Sequence, residues 1–110
     1  MADIIEKIES AVRENKVMIF MKGNRAAPQC GFSAATVAIF DELGVPYATA
    51  DVLSDPELRD AVKRYSNWPT IPQVYIDGKF VGGCDIIREL HETGELEPMV
   101  KAALGASALQ

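Results

Sequence analysis

Two kinds of hydrophobic spacing alternate along the chain, and the switches between them mark its elements. Behind Asp3, a helix-capping residue type, Ile4, Ile5, Ile8 and Val12 recur at helical spacing, with Glu6, Lys7, Glu9 and Arg13 on the other side. Val17-Met18-Ile19-Phe20-Met21 is a short continuous apolar run, the pattern of a central strand covered on both faces. Lys22 to Gln29 is polar and holds Gly23 and Pro28, so it reads as a loop. From Cys30 the period is helical again: Val37, Phe40 and Leu43 share a face and Gly44 stops the helix. Tyr47 to Val52 suits a second strand, and Ser54 with Pro56 starts a helix that reaches about Tyr65. Asn67-Trp68-Pro69 breaks it. Gln73 to Ile76 is strand-like, Asp77-Gly78 predicts a type I′ turn, and Lys79-Phe80-Val81 is the return strand. Gly82-Gly83 forms a loop, Asp85 to about Glu92 a helix, Thr93-Gly94 a break, and Glu95 to Leu104 a last helix. The order α-β-α-β-α-β-β-α-α predicts a parallel first β-α-β unit with a right-handed crossover and an antiparallel hairpin.

At 110 residues the chain suits one domain, with a core from about residue 3 to 104 and a short C-terminal tail. Apolar residues make up 48% and charged residues 25%, which excludes disorder as the main state. Eleven basic against sixteen acidic residues leave a net charge of −5, which argues against nucleic acid as the main ligand, since phosphate binding wants a basic face. No apolar run is long enough to span a bilayer, and the start lacks the basic and apolar regions of a secretory signal. The expectation is a cytoplasmic protein without membrane attachment, whose two cysteines, Cys30 and Cys84, are thiols in a reducing compartment.

The chemistry concentrates at loop-to-element junctions. Cys30-Gly31-Phe32-Ser33 opens a helix just after the first strand. A helix N-terminus favours thiolate over thiol, and Lys22, eight residues earlier, adds positive charge. Cys30 therefore reads as reactive, not as a small packed apolar residue. Ser33 stands where C-x-x-C redox motifs have a second cysteine; it cannot resolve a mixed disulfide, and reads as a first-turn residue satisfying a backbone group. In Trp68-Pro69-Thr70-Ile71-Pro72-Gln73 a trans turn is the expectation for any X-Pro bond; a cis Ile71–Pro72 bond would let Ile71 offer its backbone to an extended ligand. Trp68 suits a core or groove wall. Gly82-Gly83-Cys84-Asp85 opens a helix whose N–H groups suit a carboxylate. Asp85 fits either an N-cap or a partner for an ammonium group, and Cys84 either a packed residue or a redox role. Arg59 and Lys63, four apart on one helix, read as solvated on composition alone, and His91 as a surface residue.

Met21-Lys22-Gly23, Cys30-Gly31-Phe32-Ser33, Trp68-Pro69-Thr70-Ile71-Pro72-Gln73 and Gly82-Gly83-Cys84-Asp85, in this order and at these intervals, resemble the monothiol glutaredoxins of the C-G-F-S type in their single-domain form. The resemblance runs from about residue 3 to 104. It implies an α/β thioredoxin-like fold, a four-stranded mixed sheet flanked by helices on both faces. It also implies glutathione binding and a [2Fe–2S] cluster held between two protomers, with transfer to iron–sulfur client proteins and pairing with BolA-type proteins. By resemblance, Cys30 is the cluster ligand and glutathionylation site. Lys22 and Arg59 hold the glycyl carboxylate of glutathione. Ile71, before a cis Pro72, clamps its cysteine, and Gly83, Cys84 and Asp85 form the γ-glutamyl pocket. Ile71 stands where many relatives have phenylalanine, and the loop Asn24 to Gln29 has its own composition.

Chemistry independent of the resemblance points the same way: a [2Fe–2S] cluster normally takes four ligands, and this chain offers one well-placed cysteine. Two chains and two glutathiones supply four thiolates, which makes a dimer with cluster and a monomer without. The alternative is a glutathione-dependent thiol–disulfide oxidoreductase that uses Cys30 in the same groove.

Overall fold

The computed structural model describes residues 3–105. The Asp3 carboxylate accepts the Glu6 N–H at 2.9 Å and caps α1 (Ile4–Glu14), which buries Ile8 and Val12. β1 (Val17–Met21) is buried at all five positions. α2 (Gly31–Leu43) ends at Gly44, whose φ of 68° is the left-handed stop that glycine adopts without steric cost. β2 is Ala48–Asp51, shorter than Tyr47 to Val52. Tyr47 turns to α2 instead: its hydroxyl donates to Asp41 Oδ1 at 2.7 Å and its ring tilts against Phe40. α3 (Pro56–Ser66) is capped by Asp55, which accepts the Leu58 N–H, with Pro56 in the first turn. Ser54 is therefore not the cap; its hydroxyl donates to the Asp51 carbonyl at 3.0 Å. β3 (Gln73–Ile76) and β4 (Lys79–Gly82) form the hairpin, with positive φ at both Asp77 (54°) and Gly78 (77°), as a type I′ turn requires. α4 (Cys84–Glu92) and α5 (Leu96–Leu104) follow. Residues 106–110, most of the expected tail, lie outside the described residues.

The four strands run in the order β2-β1-β3-β4, with β1 parallel to β2 and antiparallel to β3, and β3 antiparallel to β4. β1 is central, which explains its unbroken apolar run. Val17, Ile19 and Met21 pack on one face with Phe40 of α2, Ile87 of α4 and Leu96 and Val100 of α5. Met18 and Phe20 pack on the other with Ile8 and Val12 of α1 and Ala61 and Val62 of α3. Each large aliphatic or aromatic side chain so buried contributes about 1.5–3 kcal/mol. The result is the expected thioredoxin-like α/β fold, a mixed sheet between two helical layers. No helix among the described residues is long and apolar enough to cross a membrane.

Candidate functional site

The topology gathers the sequence motifs at one end of the sheet. β1 ends there and feeds α2; β3, antiparallel to β1, begins there; β4, antiparallel to β3, ends there and feeds α4. The C terminus of β1, the start of β3 and the N termini of α2 and α4 therefore meet.

Cys30 is the N-cap of α2, with extended backbone (φ −156°, ψ 141°), and is half-buried. Its sulfur closes no capping hydrogen bond of the helix. Partial burial pushes the thiol pKa up, but the backbone N–H groups of Ser33 and Phe32, the Ser33 hydroxyl and the charge of Lys22 outweigh it, and the thiol titrates below its ordinary value. Ser33 is fully buried, and its Oγ accepts the Lys22 backbone N–H at 3.1 Å. That fits the first-turn role expected of it, and ties the end of β1 to the first turn of α2.

The loop that delivers Cys30 is more ordered than its polarity suggests. Gly23 and Pro28 form a bridge, the Gln29 N–H donates to the Lys22 carbonyl at 2.9 Å, and the Gly23 N–H donates to Asp51 Oδ1 at 3.0 Å. Gly23 has φ +86°, and a Cβ there would lie 2.6 Å from the Ala27 carbonyl oxygen, so only glycine fits. Arg25 pins the loop to α2 through Asp41 at 2.7 Å while lying 4.4 Å above the Tyr47 ring.

A cavity of about 650 Å³ opens at this end of the sheet, lined by Phe32 of the same motif and not by Cys30 itself. Lys22, Ile71, Gly83, Cys84 and Asp85 all line it, so five of the residues singled out in the sequence share one space. Arg59 does not line it. Lys63, one turn further along α3, does, and its four-residue spacing from Arg59 is the signal that identifies the shared helix face. Lys63 is half-buried and not simply solvated. Neither Lys22 nor Lys63 forms an ion pair with another described residue. Pro69, Thr70 and Pro72 also line the cavity, and Trp68, Phe32 and Ile86 form an exposed apolar rim. Trp68 is thus a groove wall.

The Ile71–Pro72 peptide is cis, which replaces the trans turn expected from residues alone. The small intrinsic trans preference at proline leaves the choice to tertiary packing. Gly83 is the N-cap of α4, so Asp85 is an exposed first-turn residue and not the cap. A Cβ on Gly83 would lie 3.1 Å from the Pro72 carbonyl oxygen, so glycine lets α4 start against the proline loop. Both cysteines are free. Cys84 is buried, with Arg88 Nη2 donating to its sulfur at 3.7 Å. His91 is half-buried, not a surface residue; its Nε2 lies 3.5 Å from Glu42 Oε2. Among the described residues no three His, Cys, Asp or Glu side chains converge into a metal site.

Comparison with known proteins places this geometry. The glutaredoxin family model matches residues 17–81. The chain is 55% identical over 100 residues to an uncharacterised ycf64-like monothiol glutaredoxin of Synechocystis, covering 91% of this chain and 94% of that one. It is 43% identical to glutaredoxin 4 of Escherichia coli, covering 92% and 88%. Its fold superposes on the buckwheat glutaredoxin–glutathione complex with a TM-score of 0.81 at 29% identity, covering 91% and 89%. With one thiol at the start of α2, a buried serine in place of the second cysteine and relatives matched over most of its length, the chain belongs to the glutaredoxin family, in its monothiol C-G-F-S branch.

Proposed function

We propose that this protein is a glutathione-dependent carrier of [2Fe–2S] clusters. The observation that carries the reading is the single sulfur of Cys30 at the N-cap of α2, two residues before Phe32 of a ligand-sized groove and left without a resolving thiol by Ser33. A [2Fe–2S] cargo takes four ligands, usually thiolates. Cys30 supplies one, and no set of metal-binding side chains among the described residues supplies the others. Glutathione and a second copy of the chain complete the count: two Cys30 sulfurs and two glutathione sulfurs. Because two of the four ligands belong to an exchangeable small molecule, the cargo is labile and suited to transfer to client proteins. A BolA-type partner would replace one protomer. This chemistry belongs in a reducing compartment, in keeping with a cytoplasmic location.

The groove suits glutathione, which carries two carboxylates, an ammonium group and a thiol. The unpaired cations Lys22 and Lys63 of the groove, together with Arg59 one turn away, suit the glycyl carboxylate, the role the resemblance assigns to Lys22 and Arg59. Ile71 suits the cysteinyl backbone, and the α4 start at Gly83 and Cys84, with Asp85, suits the γ-glutamyl carboxylate and ammonium. The buckwheat relative solved with glutathione supports the same ligand class.

A second reading rests on the same sulfur: a thiol whose ionisation is favoured by the first N–H groups of α2 and by Lys22 also suits thiol–disulfide exchange with glutathionylated substrates. Anaerobic reconstitution with iron, sulfide and glutathione separates the two. Visible charge-transfer absorbance that disappears when glutathione is removed is the expected result. Colourless protein that rapidly deglutathionylates a substrate would replace the carrier with the enzyme.

A further inference from the structure

Gln73 is wholly buried at the start of β3, yet it makes its only side-chain hydrogen bonds backwards into the preceding loop. Its Nε2 donates to the Trp68 carbonyl at 3.0 Å and to the Thr70 carbonyl at 3.2 Å. Two carbonyl acceptors on one side of the amide fix its orientation, because the reverse flip would set oxygen against oxygen. The fixed orientation leaves Oε1 buried without a donor. Leaving a buried acceptor unpaired is unfavourable, and an apolar side chain of the same size would avoid it. The arrangement makes sense if tying down the loop matters more than satisfying the amide. That loop is the groove wall: Trp68, Thr70, Ile71 and Pro72 all line the cavity, and α4 abuts it at Gly83.

We propose that Gln73 is a positioning residue for the ligand groove. By holding the Trp68 and Thr70 carbonyls from below, it sets the wall from which the Ile71 backbone and the Trp68 ring face the ligand. This rests on the glutathione reading above. Gln73 itself does not line the cavity and touches no ligand there.

The test measures binding of S-methylglutathione, which cannot form a mixed disulfide, to wild type and Gln73→Met by calorimetry. Methionine keeps the volume and removes both donors. The expected result is a folded variant whose affinity falls about tenfold or more, while its Cys30 alkylation rate stays within twofold of wild type. Affinity within twofold of wild type overturns the proposal and leaves the glutathione reading intact. No measurable binding by wild type removes the glutathione reading, and this proposal with it. If Gln73→Met does not fold, the Gln73 side-chain amide protons of wild type are followed by NMR. They should shift on titration with the same midpoint as the Trp68 indole; no shift at saturation overturns the proposal.

Discussion

Cys30 owes its reactivity to neighbours that cost the chain nothing extra: the first N–H groups of α2 and a lysine at the end of β1. Burial works against the thiolate, and the donors and the Lys22 charge win. The fold therefore stabilises the ionised form, and that stabilisation is present above the ordinary thiol pKa and is lost as pH falls through the depressed one. Iodoacetamide alkylation followed against pH should give a midpoint for Cys30 below that of a free cysteine; a midpoint at or above it would mean that burial dominates. Cys30→Ser should keep the circular dichroism of wild type and bind no cluster, whereas Cys84→Ser should keep most of it, since the Cys84 sulfur is packed against Arg88. Complete loss of cluster in Cys84→Ser would assign that sulfur a direct role. The cations of α3 offer a sharper test. Charge-assisted contacts are worth about 1.5–3 kcal/mol, roughly 10- to 150-fold in affinity. Lys22→Ala, Lys63→Ala and Arg59→Ala should each weaken glutathione by about that much, Lys22 and Lys63 because they line the cavity and Arg59 because the resemblance assigns it to the glycyl carboxylate. Affinity unchanged in Arg59→Ala, measured calorimetrically at moderate salt, would leave Lys22 and Lys63 as the cations of the site.

At the scale of elements, the loop between β1 and α2 acts as a built part of the site. Its bridge, its bond to Asp51 and the Arg25–Asp41–Tyr47 cluster hold it on three sides. Burial, together with Asp41 accepting its hydrogen bond, pushes the Tyr47 hydroxyl up to about 12, so it remains a donor throughout the neutral range. Gly23→Ala forces a side chain into a left-handed conformation against backbone atoms. Strain of this kind costs about 1–3 kcal/mol, and each 1 kcal/mol lowers Tm by roughly 4–8 °C in a small domain. Thermal melts should show that loss, and Cys30 alkylation should change with it, because the same loop delivers the cysteine. A destabilised variant with wild-type Cys30 reactivity would uncouple the loop from the thiol.

For the whole molecule, the carrier reading makes cluster ligation and association one equilibrium. On that reading a chain that supplies one of four ligands needs a second copy only when the cluster is present, so dimer and cluster would stabilise each other by mass action. Light scattering on matched samples should find monomer without cluster and dimer with cluster and glutathione, the dimer decaying as the cluster is removed. A dimer that persists without cluster would require a separate protein–protein interface, and a monomeric cluster-bound form would refute the shared cluster.

The element order and the strand pairing were legible in the sequence because they rest on local signals: the continuous run of β1, the Asp77-Gly78 turn and the Gly44 stop each dictate their geometry within a few residues. Cys30 was legible for the same reason, since a helix N-terminus is a local feature. Other features were settled by competition between neighbouring residues or by packing. Tyr47 left the strand for Asp41 and Phe40, Asp55 displaced Ser54 as the cap of α3, and the Ile71–Pro72 peptide took the cis form within its packed loop. Lys63 lines the groove although composition alone made it a solvated residue, because which residues of a helix face a cavity depends on how the helix is rotated against the sheet. Gln73 was legible only as the last residue of the Trp68 to Gln73 motif, with no role of its own. Its importance appears only when the chain folds its amide beneath the carbonyls of Trp68 and Thr70, where a buried polar group must find partners or go without.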